Sequence, residues 1–385
     1  MRKKNPRCEI IMAVRNELPE NLTRTVENAK RYCSQRDLIM VVLDGEQSCP
    51  VKEQANVRVI LPYSEHRGPG AARHAGIEQS MADVIVLVDG HMDFPPDWLE
   101  KITTHLTEYP KDVTCTHMNS LTQDWKLAIP YRDYAGCYFA LKTVQDGTGG
   151  KAYWALSGKW NQETKSSGEI PCVMGACYGF KRTWYSKIGE PLSILRGWGQ
   201  DEEMLSLSSW LCGGRCWLLP VRCGHIYAAV HTRSKNTDGD DERHALINRY
   251  ASVIALPMPD EQKKDLHRWL LQNSLRRTDI DDLLSEREEV ISKYQNRLAR
   301  NATRSWSDLE DLGFFKKISS ESQSILPPVF SPVSSTVEQH PLGRVQPVSI
   351  LRPGQCERCD VLGKLKRIDR EWLKCSRCGH KQRSR

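Results

Sequence analysis

A run of apolar residues in this chain ends in side chains that can bind a metal ion. Residues 84–88 (VIVLV) are mostly β-branched and indicate a strand buried on both faces, and Asp89, Gly90 and His91 follow directly. In an extended segment Asp89 and His91 point to the same side, and Gly90 between them lets a ligand approach the backbone. A carboxylate and an imidazole suit a divalent cation, and the imidazole favours a transition metal such as Mn²⁺. A surface turn after a strand has a similar composition, so both interpretations stay open.

Asp93, two residues further along, has two candidate roles. It is either another metal ligand or the N-cap of a helix that begins near residues 95–98 (PPDW). Proline is common at the first position of a helix, so the two prolines favour the cap.

Four cysteines near the C-terminus have the spacing of a zinc site. Cys356 and Cys359 form one CxxC pair, and Cys375 and Cys378 form another after fifteen intervening residues. This spacing is typical of a four-cysteine zinc ribbon held by a structural Zn²⁺. A redox dithiol is the alternative, and it lacks a thioredoxin-like context here. The other ten cysteines are scattered, as core residues are; three of them form a second candidate zinc cluster whose spacing matches no compact motif: Cys212, Cys216 and Cys223.

The positive charge of the chain is concentrated around the four cysteines of the CxxC pairs. The net charge is +7, and residues 351–385 hold eleven Lys and Arg against four Asp and Glu, so the preceding residues are neutral overall. A basic surface with one aromatic side chain, Trp372, suits the phosphate backbone of a nucleic acid. A solvated basic tail is the other interpretation.

The elements that must position these side chains alternate in type. Apolar runs predict strands at residues 8–14, 38–43, 57–61 and 84–88, and helical patterns lie at residues 22–32 and 71–80. This order predicts an α/β fold with an open parallel sheet and a ligand crevice along its carboxyl edge. Asp44, at the end of the second strand, and Asp89 are expected to face that crevice.

The second part of the chain is less regular. Residues 101–170 show no clear periodicity and are rich in aromatic side chains, and we expect the acceptor side of a site there. Helices are predicted at residues 182–188 and 203–212, and a strand at residues 216–221. The polar residues 231–243 predict a mobile loop or lid. Apolar residues at helical spacing between Leu283 and Leu298 predict a helix that packs against the main domain.

Composition limits the class of protein. The chain has 385 residues, of which 39% are hydrophobic, as in an ordinary soluble protein with one large domain and a smaller one. The N-terminal apolar run is short and leads into Arg15 and Glu17, which favours neither a signal peptide nor a membrane span. We therefore expect a cytoplasmic protein that does not bind a membrane; its oligomeric state stays open.

Taken in order, residues 8–255 resemble the GT-A fold glycosyltransferases, namely glycosyltransferase family 2 and the polypeptide N-acetylgalactosaminyltransferases. The motifs that carry the resemblance are residues 11–17 (IMAVRNE), 41–45 (VVLDG), 67–77 (RGPGAARHAGI), 82–91 (ADVIVLVDGH), 174–179 (MGACYG), 198–202 (WGQDE) and 223–225 (CGH). The resemblance implies a Rossmann-like mixed sheet. Together with the composition and cysteine spacing of the later residues, it gives four predicted segments: a GT-A domain at 1–255, a helical extension at 256–317, a Pro- and Ser-rich linker at 318–352 and the zinc ribbon at 353–385.

The resemblance also implies roles for individual residues. A divalent cation, expected to be Mn²⁺, is held by Asp89, His91 and His225. Contacts to the nucleotide-sugar donor are implied for Val14, Asn16, Glu17, Asp44, Arg73, Asp89 and Gly175.

Asp201 and Glu202 match the acidic pair of the loop that covers the acceptor. In the family the second acid is the general base, which implies Glu202 as base and Asp201 as acceptor ligand. Their order is reversed here, and Gln200 and Ala228 also depart from the family pattern, so either acid can serve. Solvated acids that open a helix are the other interpretation. The acid pair favours inversion of the anomeric configuration, whereas Asp89-Gly90-His91 is similar to retaining relatives.

We therefore expect a metal-dependent glycosyltransferase that moves a sugar from a nucleotide sugar to a hydroxyl group, and the resemblance implies a UDP-sugar as the donor. The basic ribbon suggests an acceptor in nucleic acid, such as a hydroxymethylated pyrimidine in DNA of the kind that viruses of bacteria use. The alternatives are a protein or saccharide acceptor, with the ribbon as an interaction module, and a non-catalytic nucleic-acid-binding scaffold. A nucleotidyltransferase would need a Gly-rich, Lys-bearing loop that residues 14–20 lack.

Overall fold

The structure of the chain is a computed structural model. It describes residues 8–45, 48–128, 133–142, 157–160, 166–227, 240–264, 267, 277–318, 365–367, 372–375 and 381–383. The chain divides into two compact units, Met1–Val329 and Phe330–Arg385. No helix within these ranges is long and apolar enough to cross a membrane.

The first half of the larger unit is a parallel sheet with helical crossovers. The strands are β1 (Cys8–Val14), β2 (Leu38–Asp44), β3 (Val57–Tyr63) and β4 (Val84–Val88), and they pair in the order β3-β2-β1-β4. Two helices connect them, α1 (Pro19–Lys30) and α2 (Pro69–Gln79). Every residue of β4 is buried, as its unbroken apolar run predicts. The predicted bounds of β1 and β4 are confirmed, and each helix begins two or three residues before its predicted start because a proline opens it.

The second half completes the sheet with mixed strand directions. After β5 (Met92–Asp93) and α3 (Trp98–Glu108) come β6 (Asp112–Ser120), β7 (Asp133–Tyr134), β8 (Cys137–Lys142), β9 (Ser157–Trp160), β10 (Gly168–Ile170) and β11 (Cys177–Lys181). Then follow α4 (Arg182–Lys187), a 3₁₀ turn (Pro191–Ile194), α5 (Asp201–Leu211) and β12 (Arg215–His225). The sheet runs β10-β12-β6-β11-β4-β1-β2-β3, and β11 is antiparallel to both of its neighbours. The expected mixed α/β sheet is thus confirmed.

Two predicted boundaries in this half are wrong in an informative way. The residues between 101 and 170 contain β6, a nearly fully buried strand in the middle of the sheet. Its sequence, DVTCTHMNS, lacks an apolar run because its buried positions are filled by Thr, His and Ser as well as by Val, Cys and Met. Helix α5 begins at Asp201 rather than at residue 203, which puts both acids of the pair in its first turn.

The helical segment after the sheet packs against it. This segment contains α6 (Asp240–Ala255), α7 (Arg277–Asn301), α8 (Trp306–Asp311) and β13 (Phe315–Ile318). Ile291, Tyr294 and Leu298 of α7 are buried, and the Tyr294 hydroxyl lies 2.8 Å from that of Ser208 in α5. Strand β13 pairs with β8 in parallel. The expected packing of α7 on the main domain is confirmed, and residues 256–317 lie in the same compact unit as the sheet.

The smaller unit contains a three-stranded antiparallel sheet. Its strands are β14 (Leu365–Arg367), β15 (Trp372–Cys375) and β16 (Lys381–Arg383). Cys356, Cys359 and Cys378 lie outside the described residues, as does the side chain of Cys375. The zinc site therefore stays a prediction.

Candidate active site

Three side chains from two distant parts of the chain meet at the carboxyl end of β4. Potential ligand atoms of Asp89, His91 and His225 all lie within 4.8 Å of one another. Asp89 and His91 follow β4, and His225 is the last residue of β12, which pairs with β5 at Met92. Among the described residues, no other group of acidic, His and Cys side chains lies close enough together to hold a metal ion. Cys212, Cys216 and Cys223 therefore do not form a metal site with one another.

The strand tip is held by polar side chains on the buried face of α1. The Thr25 hydroxyl donates to the carbonyl of Gly90 at 3.0 Å and accepts from the amide of Met92 at 3.0 Å. Asn28, one turn further along α1, accepts from the amide of Phe94 at 2.7 Å. These bonds satisfy backbone groups that leave the sheet ladder after Val88, and they fix Asp89 and His91 on one side.

A carboxylate orients the His91 ring. Glu17 Oε2 lies 2.8 Å from Nδ1 of His91, which leaves Nε2 available to a metal ion. Burial lowers the pKa of His91, but Glu17 outweighs it and raises the pKa above its ordinary value. A Cβ at Gly90 would lie 3.2 Å from Glu17 Oε2 and 3.2 Å from Val14 Cγ1, so a larger residue there would press on the side chain that orients His91. Asn16, the other residue of the predicted donor segment, has a φ of +52°.

Arg73 joins the metal-ligand group to the acidic pair. Its guanidinium donates to Asp89 Oδ1 at 2.7 Å and to Asp201 Oδ2 at 2.7 Å, and it lies 5.6 Å from the ring of Tyr178. Burial raises the pKa of Asp89, but the hydrogen bond from His225 and the charge of Arg73 hold it well below its usual range. Asp89 is therefore ionised, as a metal ligand must be.

The two acids of the pair have different environments. Asp201 is 2% exposed and bound to Arg73, whereas Glu202 is half-buried. Burial raises the pKa of Glu202 to about 8, with further contributions from Asp201 and Glu203. A Cβ at Gly175 would lie 2.2 Å from Glu202 Oε1, so the glycine leaves the space that the Glu202 carboxylate fills. The interpretation of the pair as solvated acids is wrong because both are withdrawn from water.

Asp44 supports a turn in the structure. Its carboxylate accepts from the amides of Arg67 and Gly68 at 2.7 and 2.9 Å, and His66 Nδ1 lies 2.7 Å away. These bonds hold the Gly-rich turn that starts α2 and thereby position Arg73. The expected nucleotide contact of Asp44 stays a prediction.

Several other predicted features lie elsewhere than expected. Asp93 belongs to β5 and is outside the metal-ligand group, and the N-cap position of α3 is occupied by Asp97, so the predicted cap is wrong. Of the predicted lid, residues 231–239 lie outside the described residues and residues 240–243 begin α6. Tyr134 and Phe139 from the aromatic stretch are buried core residues rather than exposed acceptor contacts.

The sequence interpretation missed three residues that shape the site: Thr25, Tyr178 and Asn248. Asn248 of α6 donates to the carbonyls of Trp198 and Gly199 at 3.1 Å each, and so holds the loop before Asp201. A polar residue on the same helix face as the apolar residues Leu22, Val26 and Ala29 is the signal that could have found Thr25.

Comparisons with known proteins find sequences similar to this chain. The family model described as glycosyl transferase family 2 matches residues 9–189. The chain is 24% identical over 282 residues to polypeptide N-acetylgalactosaminyltransferase 8 of Drosophila melanogaster, which covers 69% of this chain and 45% of that protein. It is also 24% identical over 246 residues to inactive polypeptide N-acetylgalactosaminyltransferase-like protein 5 of Macaca fascicularis, covering 57% of this chain and 52% of that protein.

A solved structure shares the fold. A crystal structure of GalNAc-T7 with UDP, GalNAc and Mn²⁺ aligns with a TM-score of 0.53 and 17% identity, over 77% of this chain and 57% of that one. The chain spans about half the length of the curated relatives it matches.

Proposed function

We propose that this chain, whose residues 9–189 match the glycosyl transferase family 2 model, transfers a sugar from a nucleotide sugar to a hydroxyl acceptor with the help of Mn²⁺. The observation that carries the proposal is the convergence of Asp89, His91 and His225 beside the Arg73–Asp201 ion pair and Glu202. A UDP-sugar is the proposed donor, since the GalNAc-T7 structure holds UDP and Mn²⁺.

The residues of the metal-ligand group fit a transition metal. One ionised carboxylate and two imidazoles make a mixed oxygen and nitrogen donor set, and His225 Nδ1 is buried with no hydrogen-bond partner among the described residues. The Glu17 carboxylate bonds to Nδ1 of His91, and histidines that bind metals commonly have such a carboxylate partner on their other ring nitrogen. When bound, Mn²⁺ would neutralise the charge of the diphosphate leaving group.

The remaining residues of the site act on position and protons. Arg73 keeps a positive charge at the centre of the site and fixes Asp89 and Asp201 on either side of it. The Glu202 carboxylate, which has no ion pair within 4.0 Å among the described residues, accepts the proton of the acceptor hydroxyl in our proposal. Asp201 is the weaker candidate for the base because its carboxylate is bound to Arg73.

Hydrolysis of UDP-sugars tests this proposal without knowledge of the acceptor. We expect Mn²⁺-dependent release of UDP by the full chain, and no release by Asp89→Ala. Asp93→Asn is the matched control, because Asp93 lies on the same strand tip but outside the metal-ligand group. Equal rates for Asp89→Ala and the unaltered chain would contradict the proposal.

A non-catalytic role is the second candidate function, and one relative favours it. The protein from Macaca fascicularis is named inactive, so this fold also occurs without the activity. Binding of UDP and Mn²⁺ with no hydrolysis or transfer of any UDP-sugar would favour this candidate. The presence of all three proposed metal ligands and of the acid pair supports the enzyme.

The C-terminal residues suggest which acceptor receives the sugar. The confined positive charge of residues 351–385 and the two CxxC pairs support a zinc ribbon that binds nucleic acid, with a hydroxymethylated pyrimidine in DNA as acceptor. The names of the curated relatives support a polypeptide acceptor instead. Mass spectrometry of DNA from cells that express the chain, with and without hydroxymethylated bases, separates the two. Unmodified DNA and a glycosylated protein would overturn the nucleic-acid acceptor.

The same unit has a direct binding test. We expect the full chain to bind duplex DNA with an affinity that falls steeply with salt, and a chain that lacks residues 340–385 to lose this binding. Zinc content measured on the full chain should be one ion per chain, and Cys375→Ser should lower it. DNA affinity that is unchanged by the deletion would contradict the proposed ribbon contact.

A further inference from the structure

Three arginines gather beside the candidate active site without a matching number of carboxylates. Arg67 lies in the Gly-rich turn before α2, Arg196 in the loop before α5, and Arg287 on α7. No ion pair within 4.0 Å joins them to an acidic side chain among the described residues. The carboxylate of Glu286 acts on the charges of Arg196 and Arg287 without forming such an ion pair, so the three guanidinium groups have fewer anions near them than cations. Burial of a cation is unfavourable unless an anion accompanies it.

The backbone links the three arginines into one structure. The amide of Gly197 donates to the carbonyl of Arg67 at 2.7 Å, which joins the turn to the loop. Asn248 Oδ1 accepts both from the amide of Arg196 at 3.0 Å and from Nη1 of Arg287 at 3.3 Å. Asn248 is fully buried, so the cluster is built on a fixed support.

Arg287 is the most withdrawn member of the cluster. It is 6% exposed, and its Nε has no hydrogen-bond partner among the described residues. Its Nη1 also donates to the carbonyl of Ile194 at 3.2 Å. Burial and the charge of Arg196 together lower the pKa of Arg287 to about 9, against the opposing effect of Glu286, so an anion bound here would relieve the repulsion between the two arginines.

The other two arginines are open to a ligand from solvent. Arg67 is exposed and stacks on Tyr63, with the guanidinium 4.4 Å from the ring centre. Arg196 is half-buried, and it donates from Nη1 to the carbonyls of Ser193 and Leu195. Burial lowers the pKa of Arg196, and the neighbouring Arg67 adds to this effect.

The cluster lies on the acceptor side of the proposed transfer site. Arg196 precedes Asp201 by five residues, and the carbonyl groups of the same loop are held by Asn248. Gly70, at the start of α2, is so close to this loop that a Cβ on it would lie 3.0 Å from Leu195 and 3.3 Å from Asp201 Oδ1. A group bound by the arginines would therefore be close to the acid pair.

We propose that Arg67, Arg196 and Arg287 form a binding site for a phosphate monoester carried by the acceptor. The assignment of this phosphate to the acceptor rests on the proposed transfer function, whereas the binding of phosphate by the three arginines does not depend on it. A phosphate monoester carries nearly two negative charges at one point, which suits neighbouring guanidinium groups such as those of Arg196 and Arg287, both of which donate to carbonyls of residues 193–195. The phosphodiesters of a nucleic acid carry single charges spread along a strand, and they call for cations in a row.

Binding of inorganic phosphate to the full chain tests the site. In a buffer without divalent metal ions we expect isothermal titration to detect phosphate binding, and Arg67→Gln and Arg196→Gln to weaken it about tenfold or more each. Arg300→Gln is the matched control, because Arg300 is an exposed arginine on α7 outside the cluster. Arg67→Gln preserves the fold, since the side chain of Arg67 is on the surface and the amide still reaches Asp44. Equal phosphate affinity in Arg67→Gln, Arg196→Gln and the unaltered chain would overturn the proposal.

A second measurement assigns the site to the acceptor. We expect the affinity for UDP in the presence of Mn²⁺ to be the same in Arg67→Gln, Arg196→Gln and the unaltered chain. A tenfold loss of UDP affinity in these variants would place the arginines on the donor and overturn the acceptor assignment. Because both measurements are of binding, their outcome is separate from that of UDP-sugar hydrolysis, which tests the proposed function.

Discussion

Glu202 is the residue of the site with the clearest expected effect on pH dependence. Its raised pKa of about 8 means that most of its carboxyl groups are protonated at neutral pH, while a general base must be ionised. We expect the transfer rate to rise with pH up to about 8, and Glu202→Gln to lower the rate by about 10²- to 10⁴-fold at every pH. Rates from pH 5.5 to 9 check this, with Glu261→Gln as the control because Glu261 is exposed. A pH profile that keeps its shape in Glu202→Gln would exclude Glu202 as the base.

The same pKa also has an effect on stability. In the folded protein Glu202 holds its proton to a higher pH than in the unfolded chain, where the ordinary carboxyl value applies. Its contribution to stability is therefore fully present below that ordinary value and is lost as pH rises through about 8. The free energy of unfolding, measured by denaturation at both pH values, should differ less between pH 5 and pH 8 in Glu202→Gln than in the unaltered chain.

Glu17 positions a proposed metal ligand without belonging to the ligand group. Glu17→Gln removes the charge that faces His91 Nδ1, and we expect Mn²⁺ affinity to fall by about 10- to 100-fold. Titration of the chain with Mn²⁺, followed by electron paramagnetic resonance, measures this directly. Glu20→Gln, an exposed acid in the first turn of α1, is the control and should bind Mn²⁺ normally. Unchanged affinity in Glu17→Gln would show that His91 keeps its orientation by other means.

The sequence alone identifies site residues when they lie close together in one segment of the chain. Asp89 and His91 are visible because the strand and the spacing lie in the same ten residues. His225 becomes a candidate only through the family resemblance, since 134 residues separate it from His91. The contacts of Arg73 with Asp201 and of Glu17 with His91 join distant segments, and neither composition nor periodicity carries information about such pairs.

Among the elements, α1 has a larger role than its position on the outside of a sheet suggests. Thr25→Val keeps the shape of the side chain but removes both hydrogen bonds to the strand tip. We expect a loss of about 1 to 3 kcal/mol in the free energy of unfolding, because a buried amide and carbonyl lose their partner. We also expect weaker Mn²⁺ binding, since the tip that carries Asp89 and His91 is less well held. Urea denaturation and Mn²⁺ titration measure the two effects.

Thr23→Val is the control for this substitution, because Thr23 lies on the exposed face of the same helix. It should change neither stability nor Mn²⁺ affinity. If Thr25→Val matched it in both, the hydrogen bonds of Thr25 would have no part in positioning the site.

Elements follow from the sequence where the pattern of burial is simple. Strands β1 and β4 are buried on both faces and have continuous apolar runs, so they are predicted with their bounds. Strand β6 is buried as well, but its interior positions include Thr114, whose hydroxyl donates to the carbonyl of Gly179, and His117, whose Nε2 lies 2.9 Å from the carbonyl of Ser166. Polar residues with buried partners cannot be told from loop residues without the partners.

For the whole molecule, α7 and the sheet are expected to unfold together. Leu298→Ala removes a buried side chain at their contact and should lower the free energy of unfolding by about 2 to 5 kcal/mol. Because residues 1–329 form one compact unit, we expect a single transition for that unit, monitored by tryptophan fluorescence in urea. Lys293→Ala, on the exposed side of α7, is the control and should change stability by less than about 0.5 kcal/mol. A separate early transition caused by Leu298→Ala would show that α7 unfolds independently.

The position of β12 in the sheet has a consequence for the order of folding. Strands β1 to β4 lie within the first 88 residues and pair among themselves, so their contacts can form before the later strands are in place. Strand β12 begins at residue 215 and pairs with β6 and β5, which lie far earlier in the chain. His225 lies beside Asp89 only after this pairing has formed. We therefore expect Mn²⁺ to bind during refolding only after the whole sheet has formed. Quenching of fluorescence by the metal would then occur later than the formation of secondary structure.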